Sequence, residues 1–345
     1  MIKTIALDQE GYFLLQNGVR LTDSKVGQEM LKGFLVDRYG VVHMRFKNET
    51  YVVEAFDKPY VAKQIHLHDN SLQVQMPYHL KLPVDLSSLC LDDWDRFHGL
   101  TTTGIPFVLS RSAQAELLNL ADEFTDDSLT LLGHTIQTEP YYIVDNNVED
   151  VKFWEERYQE DPSPGWNLEA PHPELKSVLS QIKINKMRVL VPGCGYGHDA
   201  ALLSELGHVV TAVDISPEAI AGARKRYGHF KNLEFIEQDI FKLNESHNRA
   251  YDMIFEHTCY CAVHPKQRSN LFKAYRRYLD ETGHLLGVFF VVPKRKGPYF
   301  GSSEWELQDQ LEKNFHFLYW TRLKHSPDWR QGAELLIYAQ IKAPS

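Results

Sequence analysis

The residues best suited to chemistry lie in the second half of the chain. Pro192-Gly193-Cys194-Gly195-Tyr196-Gly197 follows an apolar stretch, Arg188–Val191, and precedes a helical stretch from His198 to Leu206 that Gly207 closes. Glycine tolerates positive φ and lets backbone N–H groups approach a ligand closely. A helix beginning at the same spot adds the positive end of its dipole. The run therefore describes an anion site at the carboxyl end of a strand. A nicotinamide fingerprint needs a small residue at its sixth position; here that position is His198.

Two acids extend the pattern. Asp214 closes the apolar stretch Val210-Thr211-Ala212-Val213 and can accept from both hydroxyls of a ribose. Ile215 and the capping pair Ser216-Pro217 then open a helix. Asp239 closes a third stretch, beside apolar Ile240, where it can accept from an adenine amino group. Alone, each acid is an ordinary strand-end cap. In this order they outline the sugar and base of a nucleoside. A fourth stretch, Tyr251–Phe255, runs into Glu256 and His257, either of which can take a proton from an acceptor. Four cysteines are present, at 90, 194, 259 and 261. His257, Cys259, Cys261 and His264 carry zinc-binding atoms, but their intervals are not those of a structural zinc site. No metal is expected.

The elements that must position these groups divide the chain in two. Residues 1–145 read mainly as short strands between turn signals such as Asn17-Gly18, Tyr39-Gly40 and Asp69-Asn70, with one helix over Ser112–Phe124 that Ser112 would cap. A cap cluster, Asp145-Asn146-Asn147, marks the boundary, and residues 146–345 open with a helix over Glu149–Glu160. Apolar strands at Arg188–Val191, Val209–Val213, Leu233–Ile236, Met253–Phe255 and His284–Val292 then alternate with helices, which argues for βαβ units and a parallel sheet. The expected class is α/β, a Rossmann-like domain preceded by a small β-rich α+β domain.

Bulk properties narrow the function. The 345 residues are 43% hydrophobic and 24% charged, with a net charge of −9. That balance suits a globular protein and disfavours one that grips nucleic-acid backbones. The basic run Lys294-Arg295-Lys296 reads as a loop tip, and Lys273, Arg276 and Arg277 as a solvated helix face. No stretch has the apolar length of a membrane span. Met1-Ile2-Lys3-Thr4 runs straight into polar residues, so a reduced, cytoplasmic protein is expected. Oligomeric state is not legible.

With those residues in view, the chain resembles the class I S-adenosylmethionine-dependent methyltransferases. Within them it resembles the thiopurine S-methyltransferase family, which includes thiol and halide methyltransferases. The resemblance spans about residues 150–340. It rests on the glycine loop and the two acids, on Phe153-Trp154-Glu155-Glu156-Arg157-Tyr158, Trp166-Asn167-Leu168 and His172-Pro173, and on the loops Glu256–Pro265 and Lys296–Phe300. It implies S-adenosylmethionine as cofactor, a small-molecule acceptor and a seven-stranded sheet with an antiparallel edge. Carried onto this sequence, it puts Trp154, Tyr158 and Trp166 over the cofactor and Gly193, Cys194 and Gly195 at its methionine part. Asp214 and Ile215 would take the ribose and Asp239 and Ile240 the adenine. His257 would lie between cofactor and acceptor, with Glu256 beside it at the cofactor and Tyr299 lining the acceptor pocket. The departures, Asn167, His257 and Tyr299 where relatives carry other residues, fall on the acceptor side. Three readings stay open: S-methylation of a thiol, thiopurine or other soft nucleophile; O- or N-methylation; and a non-catalytic cofactor-binding module whose first domain binds a partner.

Overall fold

The computed structural model describes residues 3–69, 71–144, 147–182 and 186–343. It separates into two units. One comprises Met1–Ile143, Val292–Arg295 and Gly301–Glu306; the other Val144–Val291, Lys296–Phe300 and Leu307–Ser345. The main division thus falls just before the one read from composition. The N-terminal unit also claims two short pieces of the C-terminal half, which no composition shift announces.

Among the described residues the N-terminal unit carries sheets of five, seven and three strands. Its helices depart from the sequence reading. Ser24–Lys32, capped by Asp23, interrupts a stretch read as strands. The second helix is Arg111–Leu120, and its cap is Ser110, whose hydroxyl accepts from the Ala113 N–H, rather than Ser112.

In the second unit, seven strands form one sheet: β1 (Arg188–Pro192), β2 (Val209–Asp214), β3 (Leu233–Glu237), β4 (Tyr251–His257), β5 (Leu279–Phe290), β6 (Phe315–Arg322) and β7 (Glu334–Ile341). Their order is β3-β2-β1-β4-β5-β7-β6. Strands β1 to β5 pair in parallel, and β7 runs antiparallel to both of its neighbours. Val189, Leu190 and Val191 are all buried, as the central strand of a sheet covered on both faces requires. The helices that bear on the site are α1 (Val151–Glu160), α2 (Leu175–Gln181), α3 (His198–Glu205) and α4 (Pro217–Tyr227). Asp150 caps α1; Asp145 and Asn146 of the expected cap cluster lie outside the described residues. The chain winds outward from β1 to β3 and restarts at β4 on the other side. Open α/β sheets bind ligands at the carboxyl ends flanking such a switch.

Candidate active site

The glycine loop leaves β1 with three residues in the left-handed region: φ is 58° at Gly193, 53° at Gly195 and 81° at Gly197. Side chains would collide there. A Cβ on Gly193 would lie 2.9 Å from Cβ of Cys259, and one on Gly197 2.7 Å from the Phe235 ring. Asp214, at the end of β2, ties the loop down. One of its oxygens accepts from Gly195 N–H at 2.8 Å and the other from Ser216 N–H at 2.9 Å. Its residue is only 8% exposed, and burial raises its pKa against the backbone N–H groups of Ser216, Gly195 and Ile215. Among the described residues no basic side chain pairs with it. His198 is turned aside, with Nδ1 2.7 Å from the Tyr227 hydroxyl on α4.

Aromatic side chains cover this loop. The Tyr158 hydroxyl, on α1, accepts from the Trp166 indole N–H at 3.2 Å and sits 3.2 Å from where a Cβ of Gly195 would be. Trp154 meets Trp166 edge-on and anchors its own indole N–H on the Val148 carbonyl at 2.8 Å. Beyond β3, Asp239 accepts from Phe241 N–H at 2.9 Å, lies 3.1 Å from the Lys242 ammonium, and is followed by buried Ile240. Burial pushes the Cys194 thiol well up, so it does not offer a thiolate.

At the end of β4, neighbouring side chains point to opposite faces. Glu256 is fully buried and faces the interior. It accepts from Tyr260 N–H at 3.1 Å and from the Tyr275 hydroxyl at 2.7 Å, and burial pushes its pKa up to about 7. His257 faces the other way. Its Nδ1 lies 2.8 Å from Asp199 on α3, and its Nε2 3.1 Å from Nη1 of Arg330. Guanidinium only donates. Nε2 is therefore the acceptor, Nδ1–H is given to Asp199, and the ring is neutral.

The network continues from there. Arg330, 1% exposed, donates to Glu334 at 3.1 Å and to the Trp166 carbonyl at 3.1 Å. His172 Nδ1 accepts from Glu174 N–H, so its Nε2 carries the proton that Glu334 accepts at 2.9 Å. The His172 N–H also donates to Asp199 at 2.7 Å. Burial would raise the Glu334 carboxyl; His172 and Arg330 overcome that and hold it at about 2. Beside the network stands an aromatic wall. Tyr299 and Trp329 both pack edge-on against Phe290, and the Arg330 guanidinium lies 4.4 Å from the Trp329 ring centre.

Residues 149–334 match the sequence profile of the family Thiopurine S-methyltransferase (TPMT). The chain belongs to the thiopurine S-methyltransferase family. It is similar to Thiocyanate methyltransferase 1 of Arabidopsis thaliana, 28% identical over 151 residues, which are 42% of this chain and 65% of that protein. It is also similar to the Probable thiol methyltransferase 2 of the same plant, 29% identical over 159 residues, 44% of this chain and 69% of that one. The chain thus spans about two thirds of the length of these curated relatives. Among solved structures, the 1,6-didemethyltoxoflavin-N1-methyltransferase of Burkholderia thailandensis superposes with a TM-score of 0.45 at 23% identity, covering 57% of this chain and 88% of that one.

The stretch that matches the thiopurine S-methyltransferase family contains the glycine loop, both acids and every member of the His172–Asp199–His257–Arg330–Glu334 network. Asp199, Arg330 and Glu334 are not among the residues singled out from sequence. They are scattered over more than a hundred positions, and Arg330 sits in a loop that reads as a plain connection between strands. Ligand atoms of His172, His257 and Glu334 lie within 4.8 Å of one another. The guanidinium of Arg330 already bridges two of the three, and the His172 proton is committed to Glu334, so this donor set is consumed by the protein's own cation.

Proposed function

We propose that this chain transfers the methyl group of S-adenosylmethionine to a small soft nucleophile such as a thiol, thiocyanate or halide. The observation that carries the reading is Asp214: a buried carboxylate with no cation among the described residues, held by backbone N–H groups beside a loop kept clear of side chains. A carboxylate offers about four acceptor positions. Those that remain suit the two ribose hydroxyls of a nucleoside, and the bare backbone at Gly193 and Gly195 suits its methionine end. Asp239 and Ile240 would take the adenine, and Trp154, Tyr158 and Trp166 would close over the cofactor; ring faces favour a sulfonium. When bound, S-adenosylmethionine supplies an already activated methyl group.

The acceptor side supports a soft anion. Both ring nitrogens of His257 are engaged, and Glu256 faces the interior, so neither is poised to take a proton. An acceptor that ionises on its own needs no protein base. What remains for the protein is placement and exclusion of water, which Tyr299, Phe290 and Trp329 would perform, with Arg330 behind His257. The names of the thiocyanate and thiol methyltransferases to which the chain is similar fit this class of acceptor. The test is S-adenosylhomocysteine formation by the purified full chain with hydrosulfide, thiocyanate, iodide and 6-mercaptopurine. Turnover with one or more is expected. Turnover confined to a phenol or amine would move the acceptor to oxygen or nitrogen, and tight cofactor binding without any turnover would leave a binding module.

A further inference from the structure

β4 ends in a turn that meets both sides of the candidate site. Thr258 lies at φ 66°, in the left-handed region, which a β-branched residue occupies only when its surroundings hold it there. The single helical turn Cys259–Ala262 follows. Its first residue closes on the cofactor side. Cys259 packs over the Gly193 backbone, where an added Cβ would lie 2.9 Å from the Cys259 Cβ and 3.0 Å from its Sγ. Its third residue meets the acceptor side: the Cys261 carbonyl accepts from Phe300 N–H at 2.7 Å, next to Tyr299. All of these residues belong to the second unit.

Glu256 holds the turn. Its fully buried carboxyl accepts from Tyr260 N–H at 3.1 Å, and Cys259 N–H is a further backbone donor to it. First-turn amides have no partner within their own helix, so a side chain must supply one. The other carboxyl oxygen accepts from the Tyr275 hydroxyl at 2.7 Å, which ties the grip to the packed helix Arg268–Tyr278. Tyr260 is itself buried, stacked on Phe272 and edge-on to Phe289. The Arg268 guanidinium lies 4.3 Å from the Tyr260 ring centre and donates to the Phe300 carbonyl at 3.1 Å. Turn and acceptor loop therefore share two ties, one through the Cys261 carbonyl and one through Arg268.

We propose that Glu256 is a positioning residue for methyl transfer: by gripping the turn Cys259–Ala262 it sets the spacing between the glycine loop and Tyr299–Phe300. It acts through the turn and not by contact with the reacting atoms. In-line transfer is sensitive to that spacing, since a displacement of about 1 Å can cost about 10²-fold in rate. The catalytic part of this inference rests on the methyltransferase reading above; the structural part does not.

The experiment compares the full chain as wild type, Glu256→Gln and Glu256→Met. Gln keeps an acceptor for Tyr260 N–H; Met has a similar length and none. In Glu256→Met, amide hydrogen exchange should quicken about tenfold or more in peptides covering 258–263 and 296–300 and stay unchanged in those covering 209–214. With hydrosulfide, kcat should fall about tenfold or more, while KM and the Kd for S-adenosylhomocysteine stay within about threefold. Glu256→Gln should keep both exchange and kcat within about threefold of wild type. Where Glu256→Met fails to fold, wild type decides the matter: its Tyr260 and Phe300 amides should open at the same urea concentration. Phe300 opening ahead of Tyr260, unchanged exchange or kcat in Glu256→Met, or an equal loss in Glu256→Gln overturns the proposal. Absence of turnover by wild type with every soft acceptor defeats the functional reading alone and leaves the exchange result to decide this one.

Discussion

Beside β1 and β2, Asp214 is buried and, among the described residues, is held by backbone N–H groups alone, whereas across β4, buried Glu334 and partly buried Asp199 lie among His172, His257 and Arg330. One region holds its carboxylate by backbone N–H groups; the other ties each carboxylate to side chains, Asp199 to His257 and Glu334 to His172 and Arg330. A binding site needs unsatisfied capacity, and a framework must have none, because an unpaired buried charge is costly. The contrast separates the residues that await a ligand from those that hold the site's shape.

The strongest way to break that comparison is Arg330→Met. It strips the cation from a paired, buried cluster and should cost about 3–5 kcal/mol, read from urea denaturation. Arg330→Lys should recover little, because one ammonium cannot reach His257, Glu334 and the Trp166 carbonyl in the same fork. A loss below about 1 kcal/mol would mean that the network is not a framework.

Glu256 offers a second test. Its carboxyl sits at about 7 when folded against 4.5 ordinarily. The unfolded chain therefore ionises first as pH rises. The stability tied to this group is fully present below the ordinary value, is lost between pH 4.5 and 7, and stays low above. The span corresponds to about 3 kcal/mol. Glu256→Gln should flatten that slope, measured as urea midpoints from pH 5 to 8; parallel curves for the two proteins would refute the assignment.

Asp214→Asn sharpens the comparison in the opposite sense. It removes a buried charge that lacks a cationic partner, so stability should hold or rise. Cofactor affinity should fall by about 10- to 100-fold, roughly 1.4–3 kcal/mol, by calorimetry with S-adenosylhomocysteine. If stability and affinity fell together, Asp214 would belong with the framework. The smallest effect is expected at His257. A general base contributes about 10²–10⁴-fold; His257→Gln should lower hydrosulfide turnover by less than about tenfold, since Gln keeps both a donor and an acceptor.

The same contrast explains what could be read in advance. The glycine loop, Asp214, Asp239 and the alternation of strands and helices are local patterns, and the seven-stranded sheet follows from them and from the family resemblance. The paired network is not local. His172, Asp199, His257, Arg330 and Glu334 have no spacing in common, and only the folded sheet brings them together. Local chemistry misled where several residues offer the same group, as when Ser110 rather than Ser112 caps a helix. It was silent on Ser24–Lys32, whose polar residues hide a short helix among strands. The attachment of residues 292–295 and 301–306 to the N-terminal unit had no local signature either, since Lys58 and its partner Glu306 are 248 positions apart.

The most direct test of the central claim is the pH dependence of methyl transfer from S-adenosylmethionine to hydrosulfide by the wild type and by His257→Gln. If the acceptor needs no protein base, both rates should rise with the acceptor's own ionisation and level off above it, with the variant following the same curve. A wild-type rate that follows the ionisation of a protein group and collapses in His257→Gln, or methyl transfer confined to oxygen or nitrogen acceptors, would contradict the account.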